Sequence, residues 1–109
     1  MSSYVLGTEA DLDLDEIWEY IAADSVDAAD RWIQRLFDCF DELARSPNAG
    51  HVREDLTAYP VRFWTVGAYL VIYRAHTVPV EIVAVTEASR DVPKLLSHRH
   101  GSVGAAGVE

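Results

Sequence analysis

The sequence predicts an α+β domain of two layers, with the elements in the order β-α-α-β-β-β and a helical hairpin packed on one face of an antiparallel sheet. Three observations predict it. Two apolar stripes of helical period run through residues 10–44, strand-like runs of β-branched and aromatic residues begin at residue 61, and Gly67 stands where a tight hairpin needs a glycine. At 109 residues, half of them apolar, the chain forms one domain with a core that requires neither disulfide nor structural metal. We place that domain at residues 1–96. Residues 97–109 lack periodicity and are expected to form a disordered tail.

Each element has a local cause. Tyr4-Val5-Leu6 is a short apolar run stopped by Gly7, and Thr8 is the expected N-cap of the first helix, with Glu9 and Asp11 where the helix dipole favours negative charge. Ala10, Leu14, Ile17, Trp18 and Ile21 share one helical face, and both Trp18 and Trp32 are expected in the core. Asp24 or Ser25 caps a second helix whose apolar stripe runs from Ala29 through Leu36, Phe40 and Leu43 to Ala44, until Pro47 forbids continuation. Two amphipathic helices joined by so few residues lie roughly antiparallel. Residues 61–66, 69–76 and 80–87 then form a meander. Gly67-Ala68 suits a type II′ turn with glycine first, and Thr77-Val78-Pro79 makes the second reversal. Residues 91–96 form a helical turn that packs Leu95 or Leu96 on a sheet edge.

Charge is unevenly divided. Residues 1–46 hold twelve acids against Arg31, Arg35 and Arg45, a net −9, while residues 47–109 balance six acids with six bases. Such a field repels nucleic-acid backbone and argues for a protein partner. The lone Cys39 lies in an apolar stretch and reads as a buried, inert thiol, and its solitude suits a reducing, cytoplasmic setting. No run approaches membrane-spanning length, and secretion is not expected, since no basic region followed by a long apolar run stands at Met1-Ser2-Ser3-Tyr4.

With both helices on one sheet face, the other is left bare in this reading. Strand alternation puts Leu70, Ile72 and Arg74 on one side, which we assign to the bare face because an arginine is expensive under a helix pair; Arg62 and Trp64 share a side of the preceding strand. An uncovered surface mixing tryptophan, leucine, isoleucine and arginine has the composition of an interface. Asp11, Asp13 and Asp15 splay apart on a helix and form a solvated acidic face rather than a metal site, and His98 and His100 have no further ligands beside them. No metal and no cofactor is expected.

Two stretches carry a family resemblance. Val66-Gly67-Ala68-Tyr69-Leu70-Val71-Ile72-Tyr73-Arg74 resembles the V-G-x-Y-x-x-x-Y-R hairpin of the RelE/ParE superfamily of type II toxins. Glu81-Ile82-Val83-Ala84-Val85 followed by Ser89-Arg90-Asp91 resembles that superfamily's ending, and the likeness, which covers roughly residues 4–96, is greater to the ParE branch. The resemblance implies a toxin held inactive by a cognate antitoxin that covers its grooves. For the ParE branch it implies that DNA gyrase is poisoned by binding, with no catalytic residue in the toxin. For the RelE branch it implies cleavage of mRNA on the ribosome.

Departures from the pattern separate these readings. RNA-cleaving members carry a basic residue after the hairpin tyrosine to stabilise phosphate charge, where this chain has Leu70, and Lys94 is its only lysine. The leading expectation is therefore a protein-binding toxin that engages antitoxin or gyrase through Arg53, Arg62, Trp64, Leu70, Ile72, Arg74 and Arg90. The alternative is an mRNA endoribonuclease using Arg53, Arg62, Arg74 and Arg90 on phosphate and His76 as general base. A third is a degenerate member that binds antitoxin without toxicity, suggested by Glu87-Ala88 where ParE-like endings often have histidine and glycine.

Overall fold

The computed structural model describes residues 4–88 and 91–97. The order is β1 (Tyr4–Leu6), α1 (Thr8–Ala22), α2 (Val26–Arg45), a 3-10 turn (Pro47–Ala49), β2 (Arg62–Val66), β3 (Tyr69–Arg74) and β4 (Val80–Glu87). A short helix, α3, follows at residues 92–97. Ser97, expected to open the tail, is instead the last residue of α3, and Arg90 and residues 98–109 of the expected tail lie outside the described residues.

The sheet order is β1-β4-β3-β2. The meander is antiparallel as expected, but β1 pairs in parallel with β4, Tyr4 opposite Val80 and Leu6 opposite Ile82, so the sheet is mixed. Gly7 explains the direction. Its N–H donates to the Ile82 carbonyl at 3.0 Å, which prolongs the parallel ladder, and its own carbonyl accepts from the Asp11 N–H at 3.0 Å, which starts the helix. The N-cap is therefore the extended Gly7 rather than Thr8, whose hydroxyl is inside the first turn. A Cβ on residue 7 would stand 3.2 Å from the Ile82 oxygen, so this close approach favours glycine. In α2 the cap is Ser25, whose hydroxyl accepts from the Ala28 N–H at 3.1 Å.

The hairpin turn has the expected form. Val66 pairs with Tyr69 across a two-residue loop, Gly67 has φ +59° and Ala68 does not enter positive φ, the signature of type II′ rather than I′. Glycine is required there twice over, since a Cβ would come within 2.4 Å of Cη2 of Trp32.

The helices cover one face. Leu14, Ile17, Leu36, Phe40 and Leu43 close over Tyr69, Val71, Tyr73, Ile82 and Val85. Trp32 is half-buried and meets Tyr69 edge-on at 5.3 Å between centroids. Trp18 departs from expectation. It is half-buried at the flank of the stripe, where its Nε1 donates to Asp30 at 2.9 Å and ties α1 to α2.

The opposite face is not bare. Val61 and Phe63, with Leu56 behind them, and Val92 and Leu96 of α3 pack on Ile72, Val83 and Ala84 as a second core. Ile72 and Leu96 are fully buried and Arg74 is only 8 % exposed. A bulge at Val83, between the pairs Tyr73–Ile82 and Ile72–Ala84, turns both Val83 and Ala84 toward this core. The physical reason for the correction is that residues 51–60 have no periodicity to announce them and a turn as short as 92–96 does not show where on the sheet it packs, yet together with Val61 and Phe63 they supply the apolar surface that closes the face. The helical turn expected at a sheet edge thus lies on the face.

Candidate functional site

The residues expected to form one surface are divided between two. Arg62 and Trp64 are register partners of Tyr73 and Val71 and stand on the helix side of the sheet, whereas Leu70, Ile72 and Arg74 stand on the α3 side. Arg62 Nη1 donates to the Gly50 carbonyl at 2.9 Å, beside the Tyr73 hydroxyl, which donates to the Pro47 carbonyl at 2.7 Å and accepts from the Gly50 N–H at 2.8 Å. This knot fastens the exit loop of α2 to the sheet, and a Cβ at Gly50 would stand 2.5 Å from the Tyr73 oxygen. Burial pushes the Tyr73 hydroxyl above its ordinary pKa, so it stays protonated and donates.

Arg74 sits beside its register partner Glu81, with Nη1 2.5 Å from Oε1. Arg53 is exposed and ion-paired with Asp55 at 2.7 Å. Leu70 is half-buried on the second core and Ile72 lies inside it. Of the cationic set considered for phosphate, Arg62 and His76 share a shallow cavity of about 250 Å³ with Tyr59 and Ala75. Cys39 is buried, and burial, with Glu42 nearby, pushes its thiol up to about 11, which suits an inert group. Among the described residues no group of three or more histidines, cysteines and acids could hold a metal ion, and no helix is long and apolar enough to cross a membrane.

Sequence reasoning missed a groove of about 280 Å³ between α1 and the end of β4. Asp13, Glu16, Ile17 and Tyr20 line it from α1, Tyr69 from β3, Val85, Thr86 and Glu87 from β4, and Leu95 from α3. It exists because β1 is only three residues long. Past Ile82, among the described residues, no strand flanks β4 on that side, and α1 closes the gap, with Asp13 Oδ2 accepting the Val85 N–H at 3.0 Å. Asp13 is thus a bonding partner of the sheet rather than part of a merely solvated face. Burial, then the neighbouring Glu87 and Tyr20, push the Tyr69 hydroxyl up, so the aromatic wall of this groove stays neutral beside its acids. The spacing of Asp13, Glu16 and Tyr20 was a legible helical face, but nothing in it named β4 as its neighbour.

A second patch adjoins the first through Tyr69. Trp32 leans on Tyr69, carries the Arg35 guanidinium 4.7 Å above its ring, and lines a shallow cavity of about 300 Å³ with Ala28 and Arg31.

Comparisons with known proteins bear on this arrangement. The sequence model of the ParE toxin of the type II toxin-antitoxin system, parDE, matches residues 4–92. No curated protein matches the chain. Among solved structures, a chain of the chromosomal ParDE toxin-antitoxin system from P. aeruginosa is similar, with a TM-score of 0.66 and 21 % identity over 80 % of this chain and 96 % of that one. At that identity the likeness is one of fold.

Proposed function

Since the match over residues 4–92 shows that the chain belongs to the ParE toxin family of type II toxin-antitoxin systems, we propose that it is neutralised by a cognate antitoxin and, when released, poisons DNA gyrase by binding. The observation that carries the binding mode is the dispersal of the cations. A phosphoryl-cleaving site needs donors converging on one developing charge. Here Arg53 is paired with Asp55, Arg74 with Glu81 on the α3 side, and Arg62 is turned to the Gly50 carbonyl on the helix side. What converges instead is surface suited to another polypeptide: a groove that sets Ile17, Val85 and Leu95 among carboxylates and, next to it, the Trp32–Arg35 stack. Tryptophan and arginine are enriched among the residues that dominate binding energy.

Induced expression in a bacterial host tests the proposal. Growth should stop, with DNA damage signalling and intact transcripts, and co-expression of the antitoxin should restore it. Transcripts cut during translation would replace this reading with the endoribonuclease, for which the shared Arg62–His76 cavity would be the place to look. Harmless expression of a folded chain that still binds antitoxin would identify a degenerate member.

A further inference from the structure

Resting on the reading of the chain as an antitoxin-bound toxin, we propose that the α1–β4 groove receives the antitoxin's neutralising segment and that this segment is basic. An apolar side chain sits on the floor of Ile17, Val85 and Leu95, and a lysine or arginine beside it reaches Glu16 and Glu87.

Three properties of the groove select that occupant. Its volume of about 280 Å³ is at or below the low end for small-molecule pockets, about 300–1,000 Å³, and suits anchoring side chains. Ile17, Val85 and Leu95 line it beside Asp13 and Thr86, and both Glu16 and Glu87 are exposed at its rim, so an apolar anchor with a cation alongside meets complementary chemistry. Tyr20, 75 % exposed, and the protonated Tyr69 add ring surface over which the stem and head of an arginine or lysine can lie. The wider field points the same way. The net −9 of residues 1–46 resides in α1, Asp24 and α2, and α1, which holds six of the acids and no base, forms one wall of the groove. An approaching basic segment is drawn in, while an acidic one is repelled and would place carboxylate against carboxylate.

The probe is the cognate antitoxin of this chain, and its sequence is the first test: the segment that neutralises the toxin should carry an excess of lysine and arginine among its apolar residues. An excess of acids there overturns the proposal. Binding is then measured by calorimetry with the full chain, at low and high salt. Glu16→Lys/Glu87→Lys should weaken the complex by about tenfold or more and flatten its salt dependence. Asp38→Lys/Glu54→Lys, the same change of net charge at exposed positions away from the groove, should change affinity by about twofold or less. Circular dichroism and melting confirm that both variants are folded. Equal losses in the two variants, or no loss in the first, overturn the groove assignment while leaving the toxin-antitoxin reading intact. A wild-type chain that binds no antitoxin overturns the underlying reading itself.

Discussion

Leu96→Ala tests whether α3 is an integral part of the fold. Leu96 is fully buried in the second core, against a wall that includes Ile72, Val83 and Ala84. Truncation to alanine removes three carbons from a site whose neighbours, these three on the central strands β3 and β4, cannot collapse far. Leucine-to-alanine changes in such sites cost about 2–5 kcal/mol. For a domain of this size, whose whole stability is on the order of 5–15 kcal/mol, that is a large share, and at about 4–5 °C per kcal/mol the melting temperature falls by about 8–25 °C. Urea denaturation of the full chain gives the free energy and thermal melting gives the shift. Val78→Ala is the control: Val78 is 99 % exposed and its truncation should stay within about 0.5 kcal/mol. A Leu96→Ala loss below about 1 kcal/mol would mean that α3 is not docked, that the β3–β4 face is open, and that the two-core description is wrong.

Other outcomes follow from the polar joints and the turn. Tyr73→Phe leaves the Pro47 carbonyl and the Gly50 N–H without their buried partner, so a loss of about 1–3 kcal/mol is expected in urea denaturation; a neutral result would show that water replaces the hydroxyl. Gly67→Ala both strains a positive φ and drives a Cβ toward Trp32, and should destabilise by more than the roughly 1–2 kcal/mol of the backbone term alone, with partial recovery in Trp32→Leu; equal losses in both backgrounds would clear Trp32 of any part. Arg74→Glu, harmless if its face were bare, sets a second carboxylate beside Glu81 in a nearly buried site and should cost about 3 kcal/mol or more; a fully stable variant would contradict the ion pair. The Cys39 thiol, raised to about 11, is protonated at neutral pH. Its alkylation in the native chain should be slow at pH 8 and quicken as pH rises toward 11 or as denaturant is added, whereas rapid labelling at pH 8 would place it in the open.

How much of this was legible in the sequence depended on periodicity. The stripes of Leu14 and Ile17 and of Leu36, Phe40 and Leu43 fixed the helices and their buried sides, and Gly67-Ala68 fixed the hairpin register, so the split of β3 between Tyr69–Val71–Tyr73 and Leu70–Ile72–Arg74 was correct. What lay outside reach was long-range. Leu56 sits in an irregular segment, Val61 opens a strand run, and Val92 and Leu96 lie in a single helical turn expected at a sheet edge, so nothing local placed them together over the face, and the assignment of Ile72 and Arg74 to an open surface failed with it. The parallel pairing of β1 and the groove it leaves beside β4 depend on where a three-residue strand stops. Asp13 shows the limit best. Its neighbours along the chain place it on an acidic helix, but its hydrogen bond is to Val85, 72 residues away.

The most direct measurement of the central claim is supercoiling of relaxed plasmid by purified gyrase in the presence of this chain. The account predicts that supercoiling falls with increasing chain, that cleaved plasmid accumulates, and that prior addition of the antitoxin abolishes both effects. Undiminished supercoiling at a large molar excess of a folded chain, with transcripts cleaved in a translating extract, would contradict it.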